Sequence, residues 1–187
     1  MRVIAGKFRS RRLKSPGSLR LRPTSDRLRE TLFNVLGPTT EDSLFIDLYS
    51  GTGAIGIEAV SRGAREVIFV EKHPAIARLL RQNLDALEIR SGIELITADA
   101  GKALAKLAAR HIVADFIFLD PPYDDHDQYE STLEFLNTSH LLAPATLVIA
   151  EHFDAASLPD RYTRLERVRV IEQGEAALSF YKLAAAA

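Results

Sequence analysis

Four consecutive residues, Asp120-Pro121-Pro122-Tyr123, carry the clearest chemical signal in this sequence. They follow an apolar run at residues 116–119 that predicts a buried strand, so they lie where open α/β sheets bind ligands. An ionised aspartate only accepts hydrogen bonds, and the two prolines remove backbone donors. Tyr123 adds a flat face for stacking. The turn therefore suits a planar ring with an exocyclic amino group; the alternative is a plain strand-ending turn with a surface tyrosine.

A glycine-rich loop at residues 47–56, D-L-Y-S-G-T-G-A-I-G, joins a predicted strand to a predicted helix. Its G-x-G-x-x-G spacing allows close approach of a ligand to the backbone and to a helix N-terminus. A dinucleotide is one candidate, but the Asp47 carboxylate would repel its pyrophosphate. The same carboxylate would favour the ammonium or sulfonium of S-adenosylmethionine. A local capping or turn-forming role for Asp47 is the alternative.

Acidic residues also end the next two predicted strands. Glu71 lies 20 residues after the first glycine of the loop, the position from which a carboxylate accepts both hydroxyls of a ribose. Asp99 can accept a hydrogen bond from an adenine amino group, or it can cap the helix that follows. With Asp47 and Asp120, acids end four successive strands, a stronger pattern than any one of the motifs.

Composition predicts one globular domain with a sizeable core. The chain has 187 residues, of which 47% are hydrophobic and 26% charged. No apolar run approaches the roughly 20 residues that span a bilayer, and residues 1–7 do not resemble a signal peptide. The absence of cysteine excludes disulfides, thiolate metal sites and a cysteine nucleophile, and it fits a cytoplasmic protein. Since the five histidines are scattered, we expect no metal site.

The charge is distributed unevenly. Residues 1–30 contain ten Lys/Arg and two acids, a formal +8, whereas the remainder carries 14 bases and 23 acids, a formal −9. A basic arm on an acidic body indicates a polyanionic partner such as nucleic acid. Apolar residues recur within the arm, for example Val3, Phe8 and Leu13, which favours an ordered segment over a solvated tail.

Helices and strands are predicted to alternate after the arm. Thr24 or Ser25 caps a helix over residues 27–36, which Gly37-Pro38 ends. Strands follow at 44–48, 66–70, 93–97, 115–119 and 146–150, with helices at 54–61, 74–87, 102–109 and 128–136. The strand-like runs 161–171 and 176–183 form a hairpin because the four residues between them leave no room for a crossover helix. The pattern predicts an α/β fold with a mostly parallel seven-stranded sheet and helices on both faces. Within this single domain, residues 1–36 form the basic arm and its helix, and residues 43–183 form the Rossmann-like core.

These features together resemble the class I S-adenosylmethionine-dependent methyltransferases, whose Rossmann-like fold they share, and within that class the RsmD family. The most specific stretch is R-P-T-S-D-R-L-R-E-T-L-F-N at residues 22–34, supported by R-V-I-A-G at residues 2–6, the loop and the D-P-P-Y turn. The resemblance implies methylation of the N2 amine of one guanine, the guanine 966 class, in bacterial 16S ribosomal RNA.

The resemblance also implies roles for particular residues. The target base is held by Asp120, Pro121, Pro122 and Tyr123, with a flipped base stacked on the tyrosine. The cofactor contacts Asp47, Tyr49, Ser50, Gly51, Gly53, Glu71, Lys72, Asp99 and Ala100. For the RNA substrate, the resemblance places Arg22 and Thr24 near the cofactor or the target base and Arg27 and Arg29 near phosphates, and the charge of the arm adds Arg9, Arg11 and Arg12 as RNA contacts. We expect a monomer that acts on 16S rRNA within a small-subunit particle, without a membrane.

Three other functions remain open at this point. A DNA adenine-N6 methyltransferase shares the D-P-P-Y turn but usually adds a recognition insertion, for which this chain has little room. A dinucleotide-dependent oxidoreductase would have no use for that turn. A non-catalytic RNA-binding protein explains the arm but not the four acidic strand ends.

Overall fold

The computed structural model describes residues 1–15, 24–122, 126–153 and 158–185. It contains two compact units, residues 1–99 and 100–187. In the first unit the strands β1 (Leu44–Asp47), β2 (Glu66–Val70) and β3 (Ile93–Ile96) lie in the order β3-β2-β1. In the second unit β4 (Ala114–Leu119), β5 (Leu142–Phe153), β6 (Leu165–Gln173) and β7 (Ala176–Leu183) lie in the order β4-β5-β7-β6. Parallel pairing dominates, and the two strands nearest the C-terminus pair antiparallel. The predicted α/β fold and its seven-stranded sheet are therefore confirmed, whereas the predicted domain limits stay a prediction.

The first unit opens with the arm, followed by α1 (Asp26–Leu36), which ends at Gly37 and a 3-10 turn. Ser25 is the N-cap, and its side chain accepts a hydrogen bond from the Leu28 N–H, as one of the two predicted caps. The alternating elements are β1 (Leu44–Asp47), α2 (Ala54–Ser61), β2 (Glu66–Val70), α3 (Pro74–Ala86) and β3 (Ile93–Ile96). β1 and β2 are buried on both faces, as continuous apolar runs in parallel strands require.

The second unit contains α4 (Ala100–Ala109), β4 (Ala114–Leu119), α5 (His126–Thr138), β5 (Leu142–Phe153), β6 (Leu165–Gln173) and β7 (Ala176–Leu183). β7 lies between β5 and β6 and pairs antiparallel with both. The loop between β6 and β7 has only two residues, Gly174 and Glu175, which confirms the predicted hairpin.

Two predicted strands in this unit have the wrong limits. β5 begins at Leu142 instead of residue 146, because the pairing with β4 continues across a bulge around Pro144. The Thr146 hydroxyl fills this irregularity by accepting from the Ala143 N–H and donating to the Ala114 carbonyl. The predicted run 161–171 is also shifted, since β6 starts at Leu165.

Among the helices that the structure describes, none combines the length and apolar character needed to cross a bilayer.

Candidate functional site

The glycine-rich loop leaves β1 and is fastened to the end of β2. The Ser50 N–H donates to the Val70 carbonyl (2.9 Å), and the Ser50 hydroxyl accepts from the Val70 N–H (3.0 Å) while donating to the Asp47 carbonyl (2.7 Å). Ser50 is thus a structural link between two strand ends. A cofactor contact through its hydroxyl stays a prediction, and it would have to be made in addition to these bonds.

The third glycine of the motif is required by packing. A Cβ atom on Gly56 would lie 2.2 Å from the Phe69 ring, so only glycine lets α2 approach β2 this closely. This is the packing role that the third glycine has in nucleotide-binding loops. The first turn of α2 is therefore packed against β2, the strand that Glu71 follows.

Asp47 is buried, and its Oδ2 accepts a hydrogen bond from the Gly56 N–H at 3.0 Å. It therefore serves the first turn of α2, the local role that the sequence left open. Burial raises the pKa of this carboxyl to about 7; the Gly56 hydrogen bond opposes that rise, and the nearby Glu71 carboxylate adds to it. A direct contact between Asp47 and a cationic cofactor stays a prediction.

Glu71, which follows β2, binds the backbone of the glycine-rich loop. Its Oε2 accepts from the Gly51 N–H (3.0 Å), and its Oε1 accepts from the His73 N–H (2.7 Å). A carboxylate has about four lone-pair sites, so each oxygen can still accept a hydroxyl. The structure holds this side chain in a fixed orientation, as a ribose-binding carboxylate requires.

The other predicted cofactor residues differ in exposure. Lys72 and Asp99 are not buried, Tyr49 is half-buried, and Ala100 is buried as the first residue of α4. Asp99 is the last residue of the first unit and Ala100 the first of the second.

The Asp-Pro-Pro turn follows β4, as predicted. Asp120 is partly exposed, Pro121 is buried, and Pro122 is exposed. Tyr123, the predicted stacking residue, lies outside the described residues. Asp120 therefore combines access to solvent with attachment to a buried strand.

Tyr129 of α5 supports this turn, a contact that no motif in the sequence predicts. Its buried hydroxyl donates to the Glu151 carbonyl at 2.7 Å and lies 3.4 Å from the Pro121 carbonyl. The hydroxyl has one proton, so the shorter bond takes it and the Pro121 carbonyl keeps its acceptor capacity. A tyrosine within a helix gives no sequence signal for such a contact.

The N-terminal arm is ordered over residues 1–15. It folds back on itself, with the Val3 N–H donating to the Arg11 carbonyl (3.0 Å) and the Ser10 N–H to the Val3 carbonyl (2.9 Å). Gly6 allows a close approach to α2, because a Cβ atom there would lie 1.8 Å from the Ser61 carbonyl oxygen. The arm is thus a small hairpin seated on the helix that follows the cofactor loop.

Three buried polar residues fasten the arm, and none was predicted. Glu58, with 0% exposure, accepts from the N–H groups of Ile4 (2.7 Å) and Ala5 (2.9 Å). The Ser61 hydroxyl accepts from the Phe8 N–H, also at 2.9 Å.

Asn83 is the third, and it accepts from the Lys14 N–H (2.8 Å) while donating to the Thr52 carbonyl of the cofactor loop (2.9 Å). Through Asn83 the arm and the cofactor loop share one buried side chain.

The residues predicted to contact RNA differ in exposure. Arg9, Arg11, Arg12 and Arg27 are exposed, as contact with phosphates requires. Thr24 is buried. Arg22 lies outside the described residues.

Arg29 corrects a prediction. Its side chain is 0% exposed, and Nη2 donates to the Arg2 carbonyl and to Asp26 Oδ1, both at 2.7 Å. A phosphate contact does not fit this position. Residues two apart lie on opposite sides of a helix, so Arg27 faces solvent while Arg29 faces the interior. Arg29 fastens the arm to α1.

No cluster of three or more potential metal ligands occurs among the described residues. His152 is buried in β5, with Nε2 2.8 Å from the Ser179 hydroxyl.

Comparisons with known proteins agree with this architecture. The family model described as "Conserved hypothetical protein 95" matches residues 1–182. The protein named ribosomal RNA small subunit methyltransferase D from Escherichia coli K12 is 35% identical over 159 residues, 85% of this chain and 78% of that protein. The protein of the same name from Haemophilus influenzae is 35% identical over 151 residues, 81% of this chain and 78% of that protein.

A solved structure shows the same relationship. A hypothetical protein from Thermus thermophilus is 29% identical and superimposes with a TM-score of 0.83, covering 98% of this chain and 99% of that one. From the family match over residues 1–182 and from these relatives, the chain belongs to the RsmD family of methyltransferases.

Proposed function

We propose that this protein transfers a methyl group from S-adenosylmethionine to the exocyclic N2 of one guanine in 16S rRNA, in the cytoplasm and within a small-subunit particle. The observation that carries the proposal is the Asp120-Pro121-Pro122 turn at the end of β4, in a chain that belongs to a family with members named small-subunit rRNA methyltransferases. A turn that offers acceptors to an amine has no use in hydride transfer.

The loop of the first unit fits an adenosine ligand. Glu71 is oriented by two backbone N–H groups and retains lone pairs for a ribose, and α2 begins directly after Gly53. When bound, S-adenosylmethionine supplies an electrophilic methyl group on a sulfonium. We assign the remaining cofactor contacts to Asp47, Tyr49, Ser50, Gly51 and Gly53, with Lys72, Asp99 and Ala100 at the adenosine end.

The turn of the second unit acts on the amine. The N2 lone pair of guanine is conjugated with the ring, which makes the nitrogen a poor nucleophile. Asp120 Oδ and the Pro121 carbonyl accept its two N–H groups and favour a pyramidal nitrogen whose lone pair is free to attack. Positioning of this kind contributes most of the rate when the leaving group is good. Tyr123 stacks on the flipped base.

Methyl transfer to the natural substrate tests the proposal. Small-subunit particles from a strain that lacks this protein are incubated with the enzyme and tritiated-methyl S-adenosylmethionine, and the rRNA is digested to nucleosides. We expect label in N2-methylguanosine. Label in N6-methyladenosine, or transfer to DNA with none to the particles, would refute the rRNA guanine-N2 assignment.

The arm supplies affinity for the RNA in this proposal. Arg9, Arg11 and Arg12 are exposed on a segment with high positive charge. If each contacts one phosphate, replacing all three with Gln lowers the slope of log affinity against log salt by roughly 2.1 to 2.7. We expect cofactor affinity to stay at the wild-type value, because among the described residues these side chains form no hydrogen bond or ion pair with the loop. An unchanged slope would show that the arm does not bind the RNA backbone.

A further inference from the structure

The exposed face of α3 carries two arginines that the proposed function does not use. Arg78 and Arg81 are both exposed, and residues three apart lie side by side on a helix. Neither forms an ion pair or hydrogen bond with any residue that the structure describes. Two adjacent guanidinium groups are therefore available to an anion.

The two arginines border a groove of about 300 Å³ between α3 and the end of β3. Its walls are apolar or weakly polar apart from the guanidinium groups, and it is lined by Pro74, Ala77, Arg78, Arg81, Leu95 and Thr97. None of these six residues belongs to the cofactor set assigned above. A small apolar surface bordered by arginines suits an unpaired base, which stacks on apolar side chains or guanidinium planes while its phosphate meets the charge.

The arm continues the same line of positive charge. Lys14 Nζ donates to Gln82 Oε1 (3.3 Å), and Arg11 Nη2 donates to the Ala86 carbonyl (3.1 Å). Residues 78 and 86 are about 12 Å apart along a helix. Within residues 78–86 the one acid is Asp85. Four cations along one short helix face match the spacing of a polyphosphate backbone better than that of a single small anion.

We propose that α3 and the arm together form a track for a single-stranded segment of the RNA substrate, with one unpaired nucleotide in the groove at Arg78 and Arg81. The inference rests on the proposed function, because it names where that RNA lies. The charge complementarity and the continuity with the arm favour RNA over an acidic peptide.

The test uses Arg78→Gln/Arg81→Gln in the full-length protein. Glutamine and arginine have similar helix propensities, so the fold is retained. Affinity for a small-subunit rRNA transcript is measured against salt concentration. The loss of two single-strand phosphate contacts lowers the log–log slope by roughly 1.4. The matched control is Arg161→Gln/Arg169→Gln, which removes the same charge from two exposed arginines of the second unit and keeps the wild-type slope.

Cross-linking locates the RNA independently. Because the chain has no cysteine, Arg78→Cys labelled with a benzophenone maleimide carries one photoreactive group. We expect an RNA cross-link from this position and none from Arg161→Cys.

Several results would overturn the track. These are an unchanged slope in the Arg78/Arg81 variant, an equal loss in the control, or a matching loss of S-adenosylmethionine affinity, which would place the groove in the cofactor site. Weaker binding to small-subunit particles with unchanged binding to naked rRNA would point to an acidic ribosomal protein instead. If the wild-type protein binds no rRNA and transfers no methyl group, the proposed function itself fails.

Discussion

The cofactor loop and the Asp-Pro-Pro turn both follow parallel strands, yet they are built in opposite ways. The loop is rich in glycine, and most of its hydrogen bonds link residues no more than about 20 positions apart, namely Asp47, Ser50, Val70 and Glu71; Asn83 of α3 is a more distant partner. The turn is rich in proline, offers acceptors, and is supported by Tyr129 and the Glu151 carbonyl from later elements. Short-range motifs thus identify both turns, but only the loop takes most of its supporting hydrogen bonds from the motif itself and the next strand end.

The largest expected effect comes from Asp47, the buried carboxyl group at the start of the loop, which has no counterpart in the Asp-Pro-Pro turn as the structure describes it. The pKa of Asp47 rises from 3.8 to about 7 through burial. Between these values the folded state holds a proton that the unfolded state has lost, so stability falls as the pH rises from about 4 to about 7. The slope reaches up to about 1.4 kcal/mol per pH unit. Urea unfolding at a series of pH values measures it.

Asp47→Asn is the sharp control, because it keeps an acceptor for the Gly56 N–H but cannot ionise. We expect this variant to lose the slope. An equal slope in Asp47→Asn would assign the pH dependence to another group.

Asp120→Ala removes the carboxylate of the Asp-Pro-Pro turn that we assign to the target amine. The loss of one charged hydrogen bond at the reacting centre costs on the order of 3 kcal/mol, which lowers the rate by ~10² or more. We expect cofactor affinity to stay within about tenfold, since we assign this carboxylate to the target amine and not to the cofactor. Methyl transfer and calorimetry measure the two effects. Near wild-type turnover would remove Asp120 from the mechanism.

Glu71→Ala should act mainly on cofactor binding, in contrast to Asp120→Ala, which acts mainly on the rate. It removes a carboxylate that holds Gly51 and that we assign to the ribose, and hydrogen bonds to charged groups contribute about 1.5–3 kcal/mol. Calorimetry should show S-adenosylmethionine affinity lower by about 10- to 100-fold. Glu88→Gln, at an exposed acid of the same unit, should leave the affinity unchanged. Wild-type affinity in Glu71→Ala would exclude the ribose contact.

The smallest expected effect concerns Tyr129 of α5, whose hydroxyl lies beside the Asp-Pro-Pro turn. Tyr129→Phe leaves the buried Glu151 carbonyl without this donor and costs about 1 kcal/mol of stability. Because the hydroxyl that lies 3.4 Å from the Pro121 carbonyl is lost as well, the position of this carbonyl is less restricted, and kcat should fall several-fold while KM changes little. Tyr162→Phe is the matched control, since its buried hydroxyl has no hydrogen-bond partner among the described residues. Equal effects in both variants would contradict a specific role for Tyr129.

Local sequence patterns are sufficient to predict much of the fold. The limits of α2, β2 and β7 agree with the sequence prediction because apolar periodicity and flanking glycines mark them. The predicted strand 146–150 is shorter than β5 at both ends; proline disfavours a strand interior, and at Pro144 a bulge in the pairing with β4 accommodates it.

The polar interior could not be predicted in the same way. Glu58 and Asn83 bind backbone groups more than 50 residues away, and Tyr129 binds a carbonyl 22 residues away. Nothing in the local sequence distinguishes these side chains from surface ones. Arg29 was misassigned for a related reason: its charge suggested an RNA contact, whereas the face of the helix on which it lies determined its burial.

The central claim is that the loop of the first unit binds S-adenosylmethionine and not a dinucleotide. The two neighbouring carboxyl groups, Asp47 and Glu71, disfavour a pyrophosphate dianion and favour a cation. The most direct measurement is calorimetric titration of the wild-type protein with S-adenosylmethionine and, separately, with NADH. The account predicts saturable one-site binding of S-adenosylmethionine and no heat from NADH. Tight binding of NADH with no signal from S-adenosylmethionine would contradict it.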